Sequence, residues 1–100
     1  MFGLKQEHIA KIQDCMAQFP KIERVIIYGS RAMGNYRLGS DIDFAIIGEL
    51  DFSAMLKLEN QLDDLLLPYK IDISLLRTVE NPALIDHIQR AGKVFYEKKI

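Results

Sequence analysis

Gly29-Ser30-Arg31-Ala32-Met33-Gly34-Asn35-Tyr36-Arg37-Leu38-Gly39-Ser40-Asp41-Ile42-Asp43 links two strand-like runs and carries most of the polar chemistry of this chain. It follows the β-branched, apolar run Arg24 to Tyr28 and turns on two Gly-Ser pairs. It then enters a second strand-like run, Asp41 to Ile47, which Gly48 closes. Alternation along a strand sends Asp41 and Asp43 to one face, about 7 Å apart. Two carboxylates so placed suit Mg²⁺, a hard cation that prefers oxygen and often combines one or two carboxylates with substrate phosphates. The first Gly-Ser pair supplies the complementary half of such a site. Gly29 lets backbone N–H groups come close to a phosphate, and Ser30 adds a hydroxyl donor. The combination points to a nucleoside triphosphate held through its metal ion.

Working outward, Lys70 to Leu75 reads as a third strand, in which Ile71 and Ile73 face one way and Lys70, Asp72 and Ser74 the other. If this strand pairs in register with the second, Asp72 joins Asp41 and Asp43 on one polar face. Leu4 to Phe19 shows apolar residues at helical spacing (Ile9, Ile12, Met16, Phe19), and Pro20 ends it. A short helix is expected from Ser30, with the serine as its cap. Phe52 to Leu66 reads as a long helix capped by Asp51 or Ser53 and stopped by Pro68. Its expected inner face is Phe52, Met55, Leu56, Glu59, Leu62, Leu65 and Leu66. Asn81-Pro82 opens a last helix with a cap followed by Pro at the first position. Gly92 is expected to close it in the left-handed conformation. Val94 to Tyr96 either adds a short strand or packs on the core. The order α-β-α-β-α-β-α, with a short link between the first two strands, predicts an α/β (α+β) fold: a small mixed sheet flanked by helices.

One hundred residues predict a single domain, 1–100, with one core and no room for separate substrate domains. A net charge of −1 argues against strong independent binding of nucleic acid, which draws on clustered Lys and Arg. The lone Cys15 permits no internal disulfide and fits a reducing compartment. The polar, helical N-terminal pattern is unlike a signal peptide, and no apolar run approaches the ~20 residues of a membrane span, so a cytoplasmic protein is expected.

Gly29-Ser30 followed by Ser40-Asp41-Ile42-Asp43 resembles the signature of the DNA polymerase β-type nucleotidyltransferase superfamily. The short length and the form Gly29-Ser30-Arg31-Ala32-Met33-Gly34 resemble its minimal nucleotidyltransferases. The resemblance implies a polymerase β palm-like fold and transfer of a nucleoside monophosphate, with AMP from ATP the expected case, to an acceptor hydroxyl. It implies two Mg²⁺ (or Mn²⁺) ions held by Asp41, Asp43 and a third carboxylate on a later strand, for which Asp72 is the candidate. Asp72 would also serve as the general base or orient the nucleophile. Gly29, Ser30, Arg31 and Ser40 form the candidate nucleotide-binding set. Arg31, Arg37 and Lys70 could neutralise triphosphate charge, or be surface charges. Gly34, Gly39 and Ser40 shape the loop. His8 and His87 lack ligand spacing and receive no metal role.

The family resemblance further implies a partner, a small all-helical protein of the HEPN class in a toxin–antitoxin pair, in some cases modified on a tyrosine. Apolar surface on the terminal helices is the expected contact. Two alternatives stay open: a module that neutralises its partner by contact alone, and a subunit acting on a small hydroxylated molecule such as an aminoglycoside.

Overall fold

The computed structural model describes residues 1–37 and 39–99; Leu38 and Ile100 lie outside the described residues. The elements are α1 (Gln6–Ala17), β1 (Ile22–Tyr28), α2 (Ser30–Met33), β2 (Ile42–Gly48), α3 (Phe52–Asp64), β3 (Ile71–Leu75), a 3₁₀ turn (Leu76–Thr78), α4 (Pro82–Ala91) and β4 (Lys93–Glu97). The four strands form one sheet in the order β3-β2-β1-β4. β1 runs antiparallel to both β2 and β4, while β2 and β3 are parallel, so the sheet is mixed as expected. The alternatives for Val94 to Tyr96 resolve to a paired edge strand.

Alternation divides the sheet into two unlike faces. Val25 and Ile27 of β1 and Ile42, Phe44 and Ile46 of β2 point to the side covered by α1 and α3, and all five are fully buried. Ile12 and Met16 of α1 and Leu58 of α3 close over them. On the other side α4 packs against β1, leaving β2 and β3 uncovered by a helix around Asp43 and Asp72. Among the described residues no helix is long and apolar enough to cross a membrane.

The helix starts follow the sequence closely. Asp51 caps α3 by accepting from the Ala54 N–H at 2.8 Å, and Asn81 caps α4 by accepting from the Ala83 N–H at 2.9 Å ahead of Pro82. Three local expectations need correction. The cap of α2 is Gly29, not Ser30; the serine is the first helical residue, and no side chain caps this single turn. Gly92 is extended (φ −70, ψ 150) rather than left-handed. Glycine is needed there for close approach, since a Cβ would run into the Ile88 carbonyl oxygen and Ile26 Cγ2 where the end of α4 meets β1. The inner face of α3 is also rotated from the expected one. Leu58 and Leu62 are its buried residues, with Ala54, Met55 and Leu65 partly buried beside them, whereas Phe52, Leu56 and Leu66 are exposed. Phe52, Leu56 and Glu59 lie roughly 100° or more round the helix from Leu58, on a stripe that misses the sheet.

Candidate active site

Strand register builds the site. Asp43 of β2 stands beside Asp72 of β3, and on its other side Asp43 faces Tyr28 of β1. One step along, Ala45 pairs with Ser74. Neighbours in register share a face, so Tyr28, Asp43, Asp72 and Ser74 line one polar strip across three strands. Asp41 lies one residue before β2, exposed, on the Asp43 side of the alternation. The sequence expectation that the third strand adds its carboxylate to the pair therefore holds at the level of backbone register.

The electrostatics are those of like charges crowded together. Burial pushes the Asp43 carboxyl above the usual carboxylate range; repulsion from Asp72 and then Asp41 adds to this, and His87 works against it. Tyr28 is pushed up by burial first, then by Asp43, with a smaller contribution from Asp72, against a hydrogen bond from Ser74. Among the described residues no three His, Cys, Asp or Glu side chains are gathered tightly enough to hold a metal ion as they stand. The donor set nonetheless suits a hard divalent cation. It is all oxygen, Asp41 and Asp72 are exposed and free to turn, and a cation is what would relieve the repulsion on Asp43.

Gly29 sits directly over this strip. Its backbone (φ 78, ψ −158) belongs to a region essentially reserved for glycine, and a Cβ there would lie 2.6 Å from Asp43 Oδ2. The Gly29 N–H donates to His87 Nε2 of α4 at 3.2 Å, and the imidazole meets the Tyr28 ring edge-on at 6.1 Å. His87 thus belongs to the site, although its sequence spacing gave no sign of it. The available signal was its place on α4, three residues after the half-buried Leu84, which sets the two on one side of that helix. Tyr28 and Ser74 are the other residues that sequence reasoning left out of the site; both follow from alternation once the pairing is known.

The remaining candidates fall into the frame of the loop. Arg31 is only 3% exposed. Its Nε donates to the Ser40 carbonyl and its Nη1 to the Phe2 carbonyl, both at 3.0 Å, and the guanidinium lies over the rings of Tyr69 (4.9 Å) and Tyr36 (5.4 Å). Such an arginine braces the loop from inside. Ser40 likewise turns inward on the loop, its Oγ accepting from the Arg37 N–H at 2.7 Å. Ser30 is half-buried beside Gly29, and Arg37 and Lys70 are exposed. His8 donates to or accepts from the Tyr69 hydroxyl at 3.0 Å, away from the carboxylates.

Comparison with known proteins bears on this geometry. The sequence profile of the family described as polymerase beta, nucleotidyltransferase, matches residues 10–100. The chain is 38% identical over 85 residues to a protein of Methanocaldococcus jannaschii that carries the name protein adenylyltransferase, a match spanning 76% of this chain and 80% of that one. Among solved structures it is similar to a chain of a toxin–antitoxin complex with AMP-PNP (TM-score 0.71, 26% identity, 96% of this chain and 76% of the other). It shares its fold with a chain of the complex between the tri-AMPylated HEPN toxin of Shewanella oneidensis and its MNT antitoxin (TM-score 0.68, 23% identity, 95% and 74%).

Proposed function

The chain belongs to the polymerase beta nucleotidyltransferase family, and on that premise we propose that it transfers AMP from ATP to a side-chain hydroxyl of a HEPN-class partner protein, acting as that partner's antitoxin in the cytoplasm. The observation that supports the reaction best is the register pair Asp43–Asp72 lying beneath the glycine turn at Gly29. The adenylyltransferase name of the relative and the nucleotide complex of the structural neighbour support the donor and the acceptor class.

In this reading Gly29 and Ser30 seat the triphosphate, because only a residue without Cβ leaves space between that turn and Asp43. Asp41, Asp43 and Asp72 would hold Mg²⁺ or Mn²⁺, which when bound would stabilise charge on the attacking and leaving oxygens of an in-line displacement. Asp72 stands on the edge strand, exposed, where an acceptor can reach it. It orients the acceptor hydroxyl and takes its proton as the oxygen attacks the α-phosphorus. The bond from that phosphorus to the bridging oxygen breaks, and pyrophosphate leaves with the electron pair. We assign Arg31 and Ser40 to holding the loop in shape, with their polar atoms already engaged inside the protein. One observation favours the contact-only alternative: the Gly29 N–H that would meet a phosphate is engaged by His87.

The test is intact-mass spectrometry of the partner after incubation with this chain, ATP and Mg²⁺. Wild type is expected to add AMP, and Asp72→Asn to slow that addition by at least a hundredfold while still co-eluting with the partner, since removing a general base typically costs ~10²–10⁴-fold. A partner neutralised yet unmodified by wild type would establish the contact-only reading instead. Equal modification by both proteins would remove Asp72 from the chemistry.

A further inference from the structure

We propose that the open edge of β3 and the apolar groove beside it form the docking track for the acceptor: an extended, hydroxyl-bearing segment of the partner that adds to the sheet as a fifth strand. The inference rests on the transferase reading above and specifies how its substrate is held.

The two edges of the sheet are unlike. β4 begins on Lys93 and is followed by Lys98 and Lys99, all exposed, and its Glu97 pairs with Arg24 at 2.9 Å. Lysines of this kind discourage strand addition. β3, Ile71-Asp72-Ile73-Ser74-Leu75, contains no Lys, no Pro and no bulge in its ladder. The Lys70 carbonyl accepts from the Ile42 N–H at 2.8 Å, so it points toward β2. Alternation then turns the backbone groups of Asp72 and Ser74 toward β2 and leaves those of Ile71 and Ile73 and the Leu75 N–H facing outward, unpaired with any strand, while the Leu75 carbonyl accepts from the Thr78 hydroxyl at 2.8 Å.

The side chains that flank this edge fit one occupant. Between β3 and the misdirected stripe of α3 lies a groove of about 450 Å³, lined by Phe52, Met55, Leu56, Ile73 and Leu75. Phe52 is 83% and Leu56 46% exposed, unusual for large apolar residues. On the opposite face of the same strand stand Asp72 and Ser74. A strand laid along β3 sends alternate side chains to these two faces. One residue would therefore present its side chain to Asp72, and its two neighbours would drop into the groove. The geometry selects a segment reading apolar–hydroxyl–apolar, with main-chain bonds for affinity and alternate pockets for choice, as in other strand-addition sites. Asp51 and Glu59 at the groove and Asp72 at the site are exposed and outnumber the cation at the groove, Arg77, whose guanidinium donates to the Leu50 carbonyl at 2.9 Å, so the charge complement is a Lys or Arg beyond the apolar flanks.

The probe is acetyl-Lys-Ile-Tyr-Ile-Thr-Lys-amide, titrated without nucleotide into the whole ¹⁵N-labelled chain, with the same peptide carrying Ser for both Ile as control. Expected are amide shifts confined to β3, the 3₁₀ turn and the start of α3, slowed hydrogen exchange at Ile71, Ile73 and Leu75, and at least tenfold weaker binding of the control. Phe52→Glu and Leu56→Glu, both at exposed positions that leave the fold intact, should each weaken the probe at least fivefold. N-methylation should abolish binding at alternate peptide residues only. Binding that ignores these substitutions, indifference to which amide is methylated, absence of shifts at β3, or protection of β3 that grows with chain concentration alone (a second copy taking the edge) would each overturn the proposal. Docking without AMP transfer to the whole partner would overturn the transferase reading and leave the track standing. Transfer to the whole partner with unchanged KM in Phe52→Glu and Leu56→Glu would do the reverse.

Discussion

Asp43 concentrates the tension of this molecule in one carboxyl group. Its folded-state affinity for a proton is raised by burial and by Asp72 and Asp41, so its contribution to stability is largest below the usual carboxylate range and is lost as pH rises through its folded value. At neutral pH the ionised group therefore destabilises the metal-free protein. Asp43→Asn is expected to raise Tm by a few degrees at pH 7 in EDTA, each kcal/mol recovered being worth about 4–8 °C in a domain of this size. The gain should shrink as pH falls into the acid range, where wild-type Asp43 is itself protonated. A thermal melt series across pH checks both sign and trend; a destabilised Asp43→Asn at pH 7 would mean that the carboxylate is compensated by a partner the repulsion argument omits. The same substitution should cost transfer activity, the usual exchange of stability for function at a site. His87 teaches the complementary lesson. Its chemistry became visible only when Gly29 and α4 were brought together, because a histidine 58 residues away along the chain carries no local spacing to read.

At the scale of elements, strands were more legible than helices. The alternation Ile71, Ile73 against Asp72, Ser74 has only two possible faces, so knowing that β3 pairs with β2 placed all four residues at once. A helix offers a continuous circle of faces. The Phe52-Leu56-Glu59 stripe of α3 is apolar enough to pass as core, and nothing local distinguishes it from the Leu58-Leu62 stripe that is buried. Gly92 shows the same limit for turns: glycine serves a left-handed cap and a close backbone approach equally, and the second role depends on Ile26 of a distant strand. The end of α3 carries a prediction of its own. Leu66 follows the last helical turn with φ 55 and is 88% exposed, so it bears left-handed strain with little burial in return. Leu66→Gly should relieve it and stabilise the protein by about 0.5–1 kcal/mol, the strain of a β-carbon in that region less the entropy glycine adds to the unfolded chain. Urea denaturation with an unchanged m-value measures this; a loss of stability would show that the Leu66 side chain contributes packing that its exposure conceals.

For the whole molecule, the two sheet faces divide the labour of folding and function. The face under α1 and α3 holds the large fully buried strand residues, Val25, Ile27, Phe44 and Ile46 among them, and can carry the stability of the domain. The opposite face is left to like-charged groups between β2 and β3, with α4 covering only β1 beside them. A ligand that answers those charges should then stabilise the fold as a whole rather than remodel it, because it binds the native sheet and has no counterpart in the unfolded chain. Linkage sets the scale: a nonhydrolysable ATP analogue with Mg²⁺ at about a hundred times its Kd adds about 2.7 kcal/mol. For a domain of this size that corresponds to a rise in Tm on the order of 10 °C or more. The analogue without Mg²⁺ should give little, since its phosphates would face Asp41, Asp43 and Asp72 uncompensated. The double substitution Asp41→Asn, Asp43→Asn should melt at least as high as wild type in EDTA and lose most of the analogue-dependent rise. Differential scanning calorimetry of both proteins, with and without Mg²⁺, separates these effects. A full rise in the double variant would place the nucleotide somewhere other than the strip between β2 and β3.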